Sequence, residues 1–109
     1  MNSSRWILTL SLVLAAAFVL HAQMKGDAAK GKALFSRCAI CHGDSGEGKE
    51  AMAKLFGVTM PHLASKEVLS LDNAALTKVI VKGKGKMQPV SLSDPEVADV
   101  IAYLRTLKK

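Results

Sequence analysis

The stretch "RCAICHGDSGEG", residues 37–48, contains both cysteines of this 109-residue chain and a histidine directly after the second cysteine. Cys38 and Cys41 stand three positions apart, so on a helix their side chains lie on the same face, one turn from each other. A disulfide between them would close a very short loop and would restrain little of the unfolded chain. The spacing therefore favours a use of the two thiols other than a structural disulfide.

The pattern Cys-x-x-Cys-His is the sequence by which haem is attached to c-type haem proteins. Two thiols on one helical turn can form thioethers with the two vinyl groups on one edge of a porphyrin. His42 follows directly and can coordinate the iron from one side as the proximal axial ligand. We therefore predict one covalently attached haem c with its iron, bound through Cys38 and Cys41.

Three other interpretations of the motif compete with haem attachment. A thioredoxin-like dithiol expects a βαβ setting, and the sequence shows no convincing strand pattern. A structural zinc site usually takes four Cys or His ligands, and beyond residue 22 the chain has only Cys38, Cys41, His42 and His62. A simple disulfide would leave His42 as a coincidence. Haem attachment explains both cysteines and the histidine together.

The N-terminal region carries a second signal, the apolar block "WILTLSLVLAAAFVL" at residues 6–20. The block follows Arg5 and is followed by the small residue Ala22, as in a secretory signal peptide. We predict a signal peptide over residues 1–22, a domain over residues 23–109, and export to the periplasm. The alternative is a retained anchor facing the periplasm, although about 15 apolar residues are fewer than the roughly 20 that cross a bilayer.

Removal of residues 1–22 would leave 87 residues, a length at which a hydrophobic core alone is marginal. Apolar periodicity predicts a first helix that is N-capped by Asp27 and ends at the motif. A second helix follows Ser70 or Asp72 and stops at Gly83, and a last helix is expected to have Asp94 as its N-cap and Pro95 as its first residue. Glycines and a proline interrupt any periodicity in residues 43–65, so we predict mostly loop there, with one short helical turn at most. The expected fold class is all-α with three to five helices.

Four segments occur in the order found in one protein family: "GKALFSRCAICHGDSGEG", "MPHL", "VIVKGKGKMQP" and "DVIAYLRTL". From about Gly26 to Leu107 the chain resembles the class I cytochromes c of the short bacterial monohaem type. The resemblance implies a small cytochrome c fold, with its helices wrapped around one covalently bound haem. It also implies a function in single-electron transfer.

The resemblance further implies that Met87 is the distal axial ligand, because it matches the family methionine that follows a glycine-rich stretch. One difference is that Gln88 separates Met87 from Pro89, where the family often has proline directly after the methionine. The rival ligands in this chain are Met52, Met60 and His62. We expect His62 to lie at the surface.

Pro61 and Leu63 are implied to line the haem pocket. In the family, the carbonyl of the matching proline accepts a hydrogen bond from the ring of the proximal histidine, and the leucine packs against the haem. Four further residues match the positions where the family's terminal helices cross closely. These are Gly31, Phe35, Val100 and Tyr103.

The net charge is +6, and it becomes +5 when Arg5 leaves with the signal peptide. Lys82, Lys84 and Lys86 precede Met87; they form either a solvated face or a surface that steers acidic redox partners to the haem. We expect redox partner proteins, a monomer, no nucleic acid, and membrane contact only if the N-terminal segment is retained.

Iron held by His and Met has a raised potential, which suits electron transfer. We therefore predict an exported electron carrier, not an enzyme. No pair of residues is placed for acid/base chemistry, and Asp44, Glu47 and Glu50 are interpreted as a solvated loop. The alternative is a haem domain with an open axial site, acting in peroxidase-like catalysis or gas sensing.

Overall fold

The computed structural model describes residues 25–109, so the predicted signal peptide lies outside the described part of the chain. Six helices and no strand occur in this part, in agreement with the all-α prediction. They are α1 (Ala28–Leu34), α2 (Ser36–His42), α3 (Glu50–Phe56), α4 (Lys66–Leu69), α5 (Asn73–Lys82) and α6 (Asp94–Leu104). The number is one above the predicted range of three to five.

The extra helix comes from a division of the predicted first helix at Phe35. Phe35 has right-handed helical dihedral angles, its N–H donates to the Gly31 carbonyl, and its own carbonyl accepts from the N–H of Ala39. The α1 and α2 segments therefore form one nearly continuous path. The carboxylate of Asp27 accepts hydrogen bonds from two N–H groups in the first turn, which confirms its role as the N-cap.

The α1 and α6 helices cross closely at Gly31. A Cβ atom at Gly31 would collide with the carbonyl of Asp99 and would lie 2.9 Å from Cβ of Tyr103. Beside this point the Phe35 ring meets the Tyr103 ring edge-on, with centroids 5.2 Å apart and an interplanar angle of 61°. The hydrophobic core forms around this crossing. Its buried members are Phe35, Ala39, Leu76, Ile80, Val97, Val100, Ile101 and Leu104.

The start of α6 corrects one prediction, because the N-cap is Ser93 and not Asp94. Ser93 Oγ accepts from the N–H of Glu96, and the Glu96 carboxylate accepts from the N–H of Ser93 at 3.0 Å. This capping box satisfies two backbone N–H donors at once. The N-cap therefore lies one residue before the predicted position. Asp94 and Pro95 then occupy the first turn.

The α5 helix begins and ends as predicted, with Asp72 as the N-cap and Gly83 at its C-terminal end. The Asp72 carboxylate accepts from the N–H of Ala75 at 2.8 Å. Leu76 and Ile80 are the buried residues of this helix, and they belong to the same core as α6. The shared core therefore fixes α5 against α6.

Residues 43–72 contain more helix than predicted, because α3 makes about two turns and α4 was not expected. Good helix formers fill the α3 stretch, and Glu50 pairs with Lys54 at 2.8 Å. Ser65 caps α4 through its hydroxyl, which accepts from the N–H of Val68. Neither helix contains a buried residue. Over residues 25–109, no helix has the length and apolar character required to cross a membrane.

Candidate haem site

The α2 helix carries the motif that the sequence singles out. Cys38 and Cys41 lie on this helix, both half-buried and both with free thiols. Cys38 also packs against the hydrophobic core. Burial raises the pKa of the Cys38 thiol, and the positive charge of Arg37 partly offsets this effect. Two unpaired thiols are thus presented from one turn of a single helix.

His42 is the last residue of α2, and its imidazole is half-buried. Burial lowers the pKa of this imidazole, so the neutral ring is favoured, which is the form that binds a metal ion. Its Nδ1 atom is fully buried and has no hydrogen-bond partner among residues 25–109. The hydrogen bond expected from the resemblance, between this ring and the Pro61 carbonyl, is therefore not formed.

The position of Pro61 follows from how its segment docks. The N–H of Leu63 donates to the carbonyl of Gly46 at 2.8 Å, which brings residues 60–64 onto the loop that follows the motif. Leu63 is half-buried and packs against the core, whereas Pro61 is exposed. The structure therefore brings Leu63 into the apolar surroundings of the motif and leaves Pro61 at the edge of this region.

The loop after the motif folds back onto α2. The N–H of Gly48 donates to the carbonyl of His42 at 2.6 Å, and the N–H of Lys49 donates to the carbonyl of Cys41 at 2.9 Å. These bonds satisfy two carbonyls at the end of a helix, which otherwise lack partners within the helix. The carbonyls of Cys41 and His42 therefore have partners, and the loop is fixed to the C-terminal end of α2.

Met87 lies in a tight turn formed by residues 84–87, which we name the Met87 turn. The N–H of Lys84 donates to the Met87 carbonyl at 3.1 Å, and the N–H of Met87 donates to the Lys84 carbonyl at 2.9 Å. A side chain at Gly83 would collide with the Met87 carbonyl. Beyond the turn, the N–H of Val90 donates to the carbonyl of Ile80 at 2.9 Å. Backbone bonds therefore position Met87 from both directions along the chain.

The rival ligand His62 is half-buried, not at the surface as expected. Its Nδ1 accepts a hydrogen bond from the N–H of Ala64 at 2.9 Å, so one of its two ring nitrogens already has a partner. The rival methionines, Met52 and Met60, are half-buried like Met87. The Met87 assignment stays a prediction.

The acidic loop residues Asp44, Glu47 and Glu50 are exposed, as the interpretation of a solvated loop expects. Hydrogen bonds to the Glu47 carboxylate from its own N–H and from the N–H of Ser45 lower the Glu47 pKa. Within residues 25–109, no group of three or more His, Cys, Asp or Glu side chains is arranged to hold a metal ion. The four-ligand zinc site considered above is thus not formed.

The residues present fit a covalently attached haem. Two free thiols lie one turn apart on α2, the half-buried imidazole of His42 follows them directly and is favoured in its neutral form, and neither α3 nor α4 contains a fully buried residue. These features define a small all-α haem protein.

Comparison with known proteins leads to the same class. The family model described as Cytochrome c matches residues 28–108, a range that includes all six helices, the motif and Met87. The chain therefore belongs to the cytochrome c family, and the resemblance to class I c-type cytochromes is confirmed. Among curated proteins, no relative matches this chain. The protein binds covalently attached haem c with its iron and is a haem-binding electron-transfer protein.

Proposed function

We propose that this cytochrome is an exported monohaem electron carrier, in which His42 and Met87 are the two axial ligands and single electrons pass between redox partner proteins. The observation that carries the proposal is that backbone hydrogen bonds fix the position of Met87. Its N–H and its carbonyl both bond to Lys84, and Val90 bonds to Ile80 just beyond. The backbone from which the Met87 thioether extends is therefore fixed, as an iron ligand requires.

Haem iron supplies a one-electron change between its ferric and ferrous states. His42 contributes a neutral nitrogen, because burial disfavours its protonated form. Met87 contributes an uncharged sulfur, and a His/Met ligand pair raises the reduction potential. With His42 and Met87 both bound to the iron, no open position would remain at which a substrate could reach the metal. We therefore assign no catalytic residue and do not class the protein as an enzyme.

Export is supported by the signal-like segment at residues 1–22. The periplasm is the proposed location, and a retained segment would anchor the protein to the membrane on that side. A pulse-chase or mass measurement of the mature protein tests this step. Cleavage after Ala22 supports release, whereas an intact N-terminus together with membrane fractionation would replace it with anchoring.

The proposed partners carry acidic docking surfaces. Lys82, Lys84 and Lys86 are exposed; Lys82 is the last residue of α5, and the other two lie within the Met87 turn. From residue 73 to residue 93 the chain has four lysines and neither Asp nor Glu. A surface of one charge sign raises the encounter rate with an oppositely charged partner, and salt weakens this effect.

The test of the ligand assignment is an absorption spectrum of the holoprotein in both oxidation states. We expect sharp reduced bands and the weak, long-wavelength ferric band of sulfur-to-iron ligation. Met87→Ala should abolish the ferric band, whereas the matched control variants Met52→Ala and Met60→Ala should retain it. A high-spin wild type that binds carbon monoxide readily would contradict the proposal and would favour the open-site alternative.

A further inference from the structure

Three helix ends meet at the side chain of Arg105, the residue that directly follows α6. Its Nη1 donates to the carbonyl of Leu69 at 2.6 Å. Its Nη2 donates to the carbonyl of Leu71 at 2.6 Å and to Oδ1 of Asn73 at 3.0 Å. Leu69 is the last residue of α4, and Asn73 is the first residue of α5. One guanidinium thus joins the end of α6 to the corner between α4 and α5.

The corner gains from such a link because residues 69–73 include no buried side chain, and the nearest contact with the core is made by the half-buried Val68. The α4 helix has only four residues, none of them buried, and Leu71 in the corner is 40% exposed. The last carbonyls of a helix have no partners within the helix, and a cation beside them is favourable. Arginine suits the position because its planar group presents several N–H donors in a fixed arrangement, whereas lysine presents one compact charge.

The α5 helix connects this corner to the Met87 turn. Asn73 lies at its start, Leu76 and Ile80 bury in the core shared with α6, and Gly83 ends it. The Ile80 carbonyl also accepts the bond from Val90 that closes the far side of the turn. A helix of 10 residues moves largely as a rigid element, so its first turn and its core contacts together set where the Met87 turn lies.

We propose that Arg105 is a positioning residue for Met87. By fixing the first turn of α5 to the end of α6, Arg105 makes the α5 helix and the Met87 turn open together with the junction of α1 and α6, not before it. The inference rests on the proposed ligation of iron by Met87. The hydrogen bonds of the Arg105 side chain go to the corner between α4 and α5, and none goes to the motif or to the Met87 turn.

The experiment compares the holoprotein with Arg105→Gln during urea unfolding, with two probes. The sulfur-to-iron band reports on Met87, and far-UV circular dichroism reports on the helices. In the wild type we expect coincident transitions, the mark of cooperative two-state unfolding. In Arg105→Gln we expect the band to disappear at about 1 M lower urea than the helix signal. The matched control is Lys108→Gln, which removes a nearby exposed charge and should leave the two transitions coincident.

Each outcome decides the proposal. If both transitions in Arg105→Gln shift together, or neither shifts, Arg105 is only a stabilising residue and the inference is overturned. If the wild type lacks the band altogether, the Met87 ligation fails, and the role of Arg105 toward Met87 fails with it. A wild type with the band and an Arg105 variant with separated transitions support both statements.

A second pair of variants tests the same link from the other side. Asn73→Ala removes one of the three acceptors, so we expect a smaller separation of the two transitions than in Arg105→Gln. In the double variant, Asn73→Ala should add nothing, because its partner is already absent. Fully additive effects would overturn the link between the two residues. In Arg105→Lys the two transitions should lie closer together than in Arg105→Gln, because a lysine ammonium can still bond to some of the three acceptors.

Discussion

The junction of α1 and α6 and the segment at residues 43–72 are both rich in helix, but the segment contributes no member to the buried core and packs only half-buried side chains, Leu63 and Val68, against it. At the junction, Val97 and Val100 are 2% and 1% exposed, and Gly31 lets the two backbones approach. In the segment, α3 and α4 contain no buried residue, and Leu55 is 72% exposed. Helix-forming residues and local caps favour α3 and α4, but neither helix contains a fully buried residue that would stabilise it. We expect the covalently attached haem to supply a packing surface for the part of this segment that does not contact the core.

The strongest test of this contrast is removal of the haem attachment. In Cys38→Ser/Cys41→Ser we expect complete loss of haem from the denatured chain, because no thiol remains to form a thioether. Hydrogen exchange in α3 and α4 should become as fast as in an unfolded chain, since isolated helices of this length are not stable in water. Ile40→Ala, which changes the exposed residue between the cysteines, should retain its haem. Slow exchange in α3 of the haem-free chain would contradict the expectation that this helix depends on the haem for its stability.

Close approach at the junction predicts the next largest effect. Gly31→Ala should lower the free energy of unfolding by about 3–5 kcal/mol, because the new Cβ collides with a backbone carbonyl that cannot move alone. The control Gly57→Ala, at the end of α3, places its Cβ in open space and strains only a left-handed backbone, at a cost of about 1–2 kcal/mol. Denaturant unfolding of the holoproteins measures both values. Equal losses would mean that the junction is not the tighter region.

Side-chain truncation sharpens the contrast between the two regions. Leu104→Ala removes a core side chain that is 6% exposed and should destabilise the protein by about 2–5 kcal/mol. Leu55→Ala, on the exposed surface of α3, should change stability by about 0.5 kcal/mol or less. Thermal unfolding of the two holoproteins provides the measurement. A large loss in Leu55→Ala would show that this side chain is covered in the complete protein.

The smallest expected effect concerns the capping box of α6. Ser93→Ala should cost about 1 kcal/mol, because an N-terminal N–H of the helix loses its acceptor. Hydrogen bonds from the Ser93 backbone and side chain lower the pKa of Glu96 in the folded state. The stabilisation from ionised Glu96 is therefore present above its unfolded pKa of about 4.3 and is lost as the pH falls through the lower folded value. Unfolding measured against pH should show this loss in the wild type and not in Glu96→Gln.

Local patterns predicted the elements whose causes lie within a few residues. Asp27 and Asp72 cap their helices because their carboxylates reach N–H groups two or three positions ahead. The Ser93 cap was missed although its signal, Ser followed by Glu at the third position, is present in "SDPE". The α4 helix was missed because four residues provide too little periodicity to recognise.

The sequence alone predicted the haem attachment at Cys38, Cys41 and His42, since the chemistry depends on residues that are neighbours along one helical turn. It also identified Gly31 as the point of close helix crossing, through the family resemblance. Only the tertiary structure decided that Arg105 bonds to Leu69 and Leu71, that Pro61 is exposed, and that Nδ1 of His42 is buried without a partner. The physical reason is range: a cap or an attachment motif is set by backbone geometry within one turn, whereas bonds that span more than 30 residues depend on the path of the whole chain.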